Sequence, residues 1–153
     1  MLVSAFCRPG AVEAVAPCER QAALFLYSSG STGRPKGAVL SHAGYGWILR
    51  TRTHRAALAR HRFPVAAPLY HMNALNTLQL ALTAGATAVL LPQFEAKSYL
   101  QAIDAFGCTW LTMVPTMIAL MAREEAALET LDLSSVEMVR LGSAPLAEGT
   151  IAV

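Results

Sequence analysis

Apolar residues fall in short continuous blocks along this chain, separated by glycine-, proline- or polar-rich stretches. Apolar blocks of roughly four to eight residues bounded by turn residues read as buried strands, and longer segments with apolar positions three and four apart read as helices. Ala22 to Tyr27 is the first strand by this rule, and Ala38 to Leu40 reads as a short second strand, a hairpin partner of the first. Ser41 is placed to cap a helix extending toward Arg60. From there the pattern alternates: strand 63–67, helix 74–84, strand 86–91, helix 96–106, strand 108–114, a helix from Pro115 to about Leu128, and strand 136–141. Gly85 and Gly107 stand where helix stops are expected, and Pro115 suits a first helical turn. Alternating helices and continuously apolar strands predict an α/β fold built on a mostly parallel sheet. In such sheets ligands bind beyond the carboxyl ends of the strands. Residues 1–21 read as an irregular lead-in.

Composition narrows the class. Hydrophobic residues make up 54% of the 153 and charged residues 14%, against about 25% charged in an ordinary soluble domain. That excludes a disordered tail. A net charge of +2 gives no case for nucleic acid. The longest stretch free of Lys, Arg, Asp and Glu, Phe63 to Phe94, holds three prolines and His71, Asn73, Asn76, Gln79 and Gln93. Polar side chains are costly in a bilayer, so no transmembrane span is expected, and the apolar excess suggests a piece of a larger protein. Three scattered cysteines, Cys7, Cys18 and Cys108, build neither a disulfide framework nor a zinc site. A cytoplasmic location and no bound structural metal are the expectations. The basic cluster Arg50, Arg52, His54, Arg55, Arg60, His61 and Arg62 reads as a solvated or subdomain-facing surface, and Met117 and Met121, one helical turn apart, as a core stripe.

The segment with chemistry in it is Ser28-Ser29-Gly30-Ser31-Thr32-Gly33-Arg34-Pro35-Lys36-Gly37. Its glycines let backbone amides turn inward and approach a ligand closely, and successive inward N–H groups form an anion-binding nest. The hydroxyls between Ser28 and Thr32 add donors, and Lys36 adds a charge whose bonds to phosphate are about twice as strong as neutral ones. A Walker A loop requires Gly-Lys followed by Ser or Thr, whereas Lys36 is followed by Gly37 and Ala38. The dinucleotide pattern Gly-x-Gly-x-x-Gly is absent too.

Together with the preceding Tyr27, this segment resembles the phosphate-binding signature of the adenylate-forming (AMP-binding) superfamily, Tyr-Thr-Ser-Gly-Ser/Thr-Thr-Gly-x-Pro-Lys-Gly. Ser28 replaces the usual Thr and keeps the hydroxyl. Two further stretches follow the family order: Pro68-Leu69-Tyr70-His71 resembles its Pro-Leu-Phe/Tyr-His motif, and Leu141-Gly142-Ser143-Ala144-Pro145-Leu146 its Gly-Gly/Ser-Ala-Pro-Leu stretch. The likeness runs from about residue 22 to 148 and is to acyl-CoA synthetases in particular. It implies that a carboxylate attacks the α-phosphate of ATP, that pyrophosphate leaves, and that coenzyme A then takes the acyl group. By the same resemblance Ser28, Ser29, Gly30, Ser31, Thr32, Gly33 and Lys36 would hold ATP phosphates, with Mg²⁺ expected beside them. His71 would stand near the reacting carboxylate, and Gly142, Ser143, Ala144 and Pro145 would line the adenine and acyl pocket.

The sequence departs from the family after His71, where Met72-Asn73-Ala74-Leu75 stands in place of a stretch with a glycine. Amino-acid-activating members place an Asp near this motif; here Glu95 is the one acid between Glu19 and Asp104. An unpaired buried ammonium would be costly, so a small carboxylic acid without an α-amino group, fatty or aromatic, is the expected substrate. The family's later motifs and its C-terminal domain are not in this sequence. The expectation is therefore a partial AMP-binding domain over 22–153, a fragment of an acyl-CoA ligase that is incomplete for catalysis alone and has the rest of the enzyme as structural partner. The alternative is a non-catalytic module that folds against a partner chain.

Overall fold

A computed structural model describes residues 13, 15–18, 20–27, 36–55 and 57–142. The described chain separates into two compact units, divided between Gly46 and Trp47.

The first unit is built on a hairpin. Strand β1 (Ala22–Tyr27) pairs antiparallel with β2 (Gly37–Ser41), with Phe25 opposite Val39 and Tyr27 opposite Gly37. Helix α1 (His42–Arg55) follows directly, and its residues from Trp47 on belong to the second unit. The Ser41 hydroxyl accepts from the Gly44 N–H at 3.2 Å, the capping role expected of it. The His42 N–H is held by the Gln21 carbonyl at 3.0 Å.

The second unit is the α/β layer. Its elements are β3 (Arg62–Val65), α2 (Met72–Ala84), β4 (Thr87–Leu90), α3 (Ala96–Phe106), β5 (Trp110–Met113), α4 (Pro115–Met121), α5 (Glu125–Thr130) and β6 (Met138–Leu141). Strands β3 and β4 pair in parallel, as do β5 and β6. The two pairs stand side by side: β3 neighbours β5, and the Thr109 N–H donates to the Arg62 carbonyl at 3.0 Å. The spatial order is therefore β4, β3, β5, β6. The mostly parallel α/β architecture expected from the sequence is present as short parallel pieces plus one antiparallel hairpin.

Alternation along the strands feeds two cores on opposite sheet faces. Phe63 and Trp110 pack with Leu80 and Ala81 of α2. Leu111 and Met113 pack with Tyr99, Leu100 and Ile103 of α3, joined by Met117 and, at its margin, Met121. The methionine stripe is core, as expected. Gly85 and Gly107 close α2 and α3 at φ 68° and 57°, the left-handed region where a Cβ is penalised.

Three expectations need correction. The helix after Ser41 stops at Arg55 rather than Arg60, and a single 3-10 turn, Leu58–Arg60, follows. Leaving the helical path buries Leu58 against Phe63, Leu80 and Ala81, so burial overrides a helix-favouring sequence. The helix from Pro115 breaks into α4 and α5. The Arg123 and Glu124 N–H groups bond three residues back, to Leu120 and Met121 carbonyls, and the tightened turn delivers Ala127 into the α3 core. Most strands are shorter than the apolar runs that announced them. In β6 the Glu137 and Met138 N–H groups share the Thr109 carbonyl at 2.9 and 3.1 Å, and the ladder begins only at Met138.

Part of the basic cluster also resolves into structural pins. Arg60 makes a two-pronged pair with Glu137, both contacts 2.6 Å. That pairing raises the Arg60 pKa and holds the Glu137 carboxyl below its ordinary value. The Arg62 guanidinium donates to the Phe106 carbonyl at 2.7 Å. His61 is buried, with Nδ1 2.9 Å from the Thr109 hydroxyl, whose oxygen accepts from the Arg62 N–H. His61, Arg60 and Arg62 thus tie β3 to β5 and β6 rather than forming an open patch.

Candidate functional site

Each of the three segments singled out in the sequence lies at a strand exit. Residues 28–36 connect β1 to β2, because Tyr27 and Gly37 are the last paired residues of the hairpin. Of the phosphate-loop candidates, Ser28, Ser29, Gly30, Ser31, Thr32 and Gly33 lie outside the described residues. Lys36 is described and exposed, one residue before β2. A Cβ on Gly37 would come within 3.1 Å of the Tyr27 ring, so the ring sits close over glycine at the loop's base.

In the second unit the chain leaves β3 at Val65 and turns at Pro68–His71, where the His71 N–H donates to the Pro68 carbonyl at 2.9 Å. His71 caps α2 with extended backbone and no side-chain capping bond. Its ring is exposed and tilted against Tyr70, with centroids 4.7 Å apart. At the far side of the sheet Gly142 follows β6, its N–H on the Met113 carbonyl at 3.3 Å. Ser143, Ala144 and Pro145 lie outside the described residues.

A cleft of about 190 Å³ opens between these two exits, lined by Met72, Asn73 and Asn76 of α2, Thr112 of β5, and Arg140 and Gly142. Topology explains its place. From β3 the chain moves outward to β4, then crosses back to β5 on the other side of β3. The carboxyl ends of β3 and β5 thus diverge at a switch point, the position at which open α/β sheets form ligand crevices. The structure brings Gly142 into this cleft together with Met72, the residue after His71; the His71 ring itself is not part of the lining.

The electrostatics of the cleft are one-sided. Among the described residues no Asp or Glu lines it, and α2 has no acid in its first turn. Arg140 stands beside Thr112 in the β5–β6 register and is exposed. The Asn76 Oδ1 is buried without a hydrogen-bond partner. Glu137, three residues before Arg140, is paired with Arg60, and Glu95 is spent elsewhere too. Its carboxylate caps α3 by accepting from the Lys97 and Ser98 N–H groups at 3.1 and 2.7 Å, and these bonds, that from Ser98 foremost, hold its pKa below the ordinary value. Nothing acidic in the cleft is therefore placed to receive a substrate ammonium.

Sequence reading did not single out Thr112, Arg140, Asn73 or Asn76 as site residues. The two asparagines had a signal: amide side chains three apart in the first turns of a helix directly after the histidine motif. Thr112 and Arg140 had none, since only strand register joins them.

Among the described residues no group of three His, Cys, Asp or Glu side chains is placed to grip a metal ion. No helix of the described residues is long and apolar enough to cross a membrane.

A parallel α/β layer with a crevice at its switch point is a ligand-binding class of fold. The chain belongs to the AMP-binding enzyme family, which it matches over residues 4–152. It is 36% identical over 131 residues to the indoleacetate–CoA ligase of Aromatoleum aromaticum, which covers 84% of this chain and 25% of that protein. It is 36% identical over 125 residues to a feruloyl-CoA synthase of Amycolatopsis, covering 80% of this chain and 25% of that protein. The chain thus spans about a quarter of the length of these relatives. Among solved structures, ATP-bound MatB from Rhodopseudomonas palustris superposes with a TM-score of 0.79 at 28% identity, over 92% of this chain and 28% of that one.

Proposed function

We propose that this chain is part of an ATP-dependent acid–thiol ligase. The carboxylate oxygen of a small acid attacks the α-phosphorus of ATP, the bond to pyrophosphate breaks, and an acyl-adenylate forms. A coenzyme A thiol then displaces AMP at the acyl carbonyl. Both first reactants are anions, so preorganised donors at the phosphates are the main contribution a protein can make. Ser28, Ser29, Gly30, Ser31, Thr32, Gly33 and Lys36 serve that purpose at the β- and γ-phosphates. His71 hydrogen-bonds the reacting carboxylate or gates its pocket, and Gly142, Ser143, Ala144 and Pro145 line the adenine and acyl site. Mg²⁺, when bound, would neutralise phosphate charge.

The observation that carries this reading is the run Tyr27–Gly37, matched inside the AMP-binding family and set between two paired strands. The substrate is a carboxylic acid without an α-amino group. The acid-free cleft supports that, and the names of the indoleacetate and feruloyl relatives favour an aromatic acid over a fatty one. The rest of the enzyme acts as structural partner, since this chain covers a quarter of such proteins.

The test is Lys36→Ala in an enzyme that carries this chain. Unpaired phosphate charge costs about 1.5–3 kcal/mol, so the KM for ATP should rise by roughly ten- to a hundredfold with slower adenylate formation. An unchanged rate of carboxylate-dependent pyrophosphate exchange would refute the role of Lys36.

A further inference from the structure

The described chain fixes most of its arginines around β3 by protein partners: Arg60 by Glu137 and Arg62 by the Phe106 carbonyl. Arg140 differs. It makes no hydrogen bond or ion pair among the described residues, and it is the one charged residue of the switch-point cleft. Its strand register sets it beside the hydroxyl-bearing Thr112 on the α2 face of the sheet, opposite Asn73 and Asn76. The amino end of α2, which carries a partial positive charge, opens on the same cleft with no acid in its first turn. Cation, hydroxyl and helix end all favour a bound anion, and among the described residues no carboxylate lines the cleft to supply one.

Resting on the acid-activating reading above, we infer that Arg140 is a specificity residue that selects acids bearing a second anionic group, such as a carboxylate, on the acyl portion. Arginine suits this because its planar fork meets a carboxylate through two parallel hydrogen bonds, and Thr112 can donate a third. A plain hydrocarbon chain would leave the guanidinium facing apolar atoms and gain nothing from it.

The test compares equilibrium binding of cinnamate and 4-carboxycinnamate by an enzyme that carries this chain, as wild type, Arg140→Leu and Arg140→Lys. Wild type should bind the dicarboxylate at least tenfold more tightly. Arg140→Leu should abolish that preference and leave cinnamate affinity unchanged, and Arg140→Lys should restore part of it. Equal affinity of wild type for both acids overturns the inference while leaving the acid site standing. An Arg140→Leu loss that falls equally on both acids also overturns it, because the arginine would then read the carboxylate common to both. Absence of saturable binding for either acid overturns the inference and the acid-site reading together.

Discussion

The hairpin unit and the α/β unit divide the labour of this chain unequally. Phe25, Tyr27 and Val39 lie on one hairpin face, at 56%, 72% and 58% exposure. The strands that carry the glycine–hydroxyl loop are thus held by their ladder rather than by a core. In the α/β unit Phe63, Tyr99 and Leu100 are fully buried, and both sheet faces are filled. Similar aromatic-rich apolar runs, Ala22–Tyr27 and Arg62–Val65, therefore have opposite fates. The difference teaches that apolar strand pattern locates a strand without telling how much of it is covered.

Substitution can break that contrast. Phe63→Ala should cost about 3–5 kcal/mol, the range for a buried aromatic, whereas Phe25→Ala should stay within about 0.5 kcal/mol. Urea unfolding followed by far-ultraviolet circular dichroism checks both. Comparable losses would mean that the hairpin face is covered after all. A smaller effect sharpens the account of the α3 core. The Tyr99 hydroxyl is buried with no hydrogen-bond partner, and burial drives its pKa up. Tyr99→Phe removes an unsatisfied group and should leave stability equal or raise it by about 1 kcal/mol. A clear loss in the same unfolding experiment would show that the hydroxyl has a partner.

The smallest effect is a pH slope confined to the α/β unit. Glu95, Asp132 and Glu137 all have carboxyl pKa values lowered by hydrogen bonds, from Ser98, Ser134 and Arg60 respectively. Groups depressed in the folded state stabilise it above their unfolded pKa, and that contribution disappears as pH falls through the folded values. Stability of this unit should therefore decline below about pH 4.5. Glu95→Gln should make the decline shallower when melting is followed across pH, and an unchanged slope would remove Glu95 from the account.

The fold was readable where local and global signals agree. Helix α3 and strand β1 match their apolar runs residue for residue, and Gly85 and Gly107 stop their helices as glycine at that position should. The misreadings arise where tertiary burial overrides helix propensity: Leu58 pulls the chain off α1, and Ala127 bends it between α4 and α5. The site was readable in part. Motif spacing announced Gly142, which lines the cleft, but strand register alone brings Thr112 to Arg140, 28 positions later in the sequence. No periodicity encodes that pairing.

The central claim is that the turn ahead of Lys36 cradles the terminal phosphates of a nucleotide. Backbone amide NMR during titration with ATP tests it most directly. Saturable shifts concentrated at Gly30 to Gly37 and abolished by Lys36→Ala are predicted. Nucleotide binding that leaves those amides unmoved, or that survives Lys36→Ala unchanged, would contradict it.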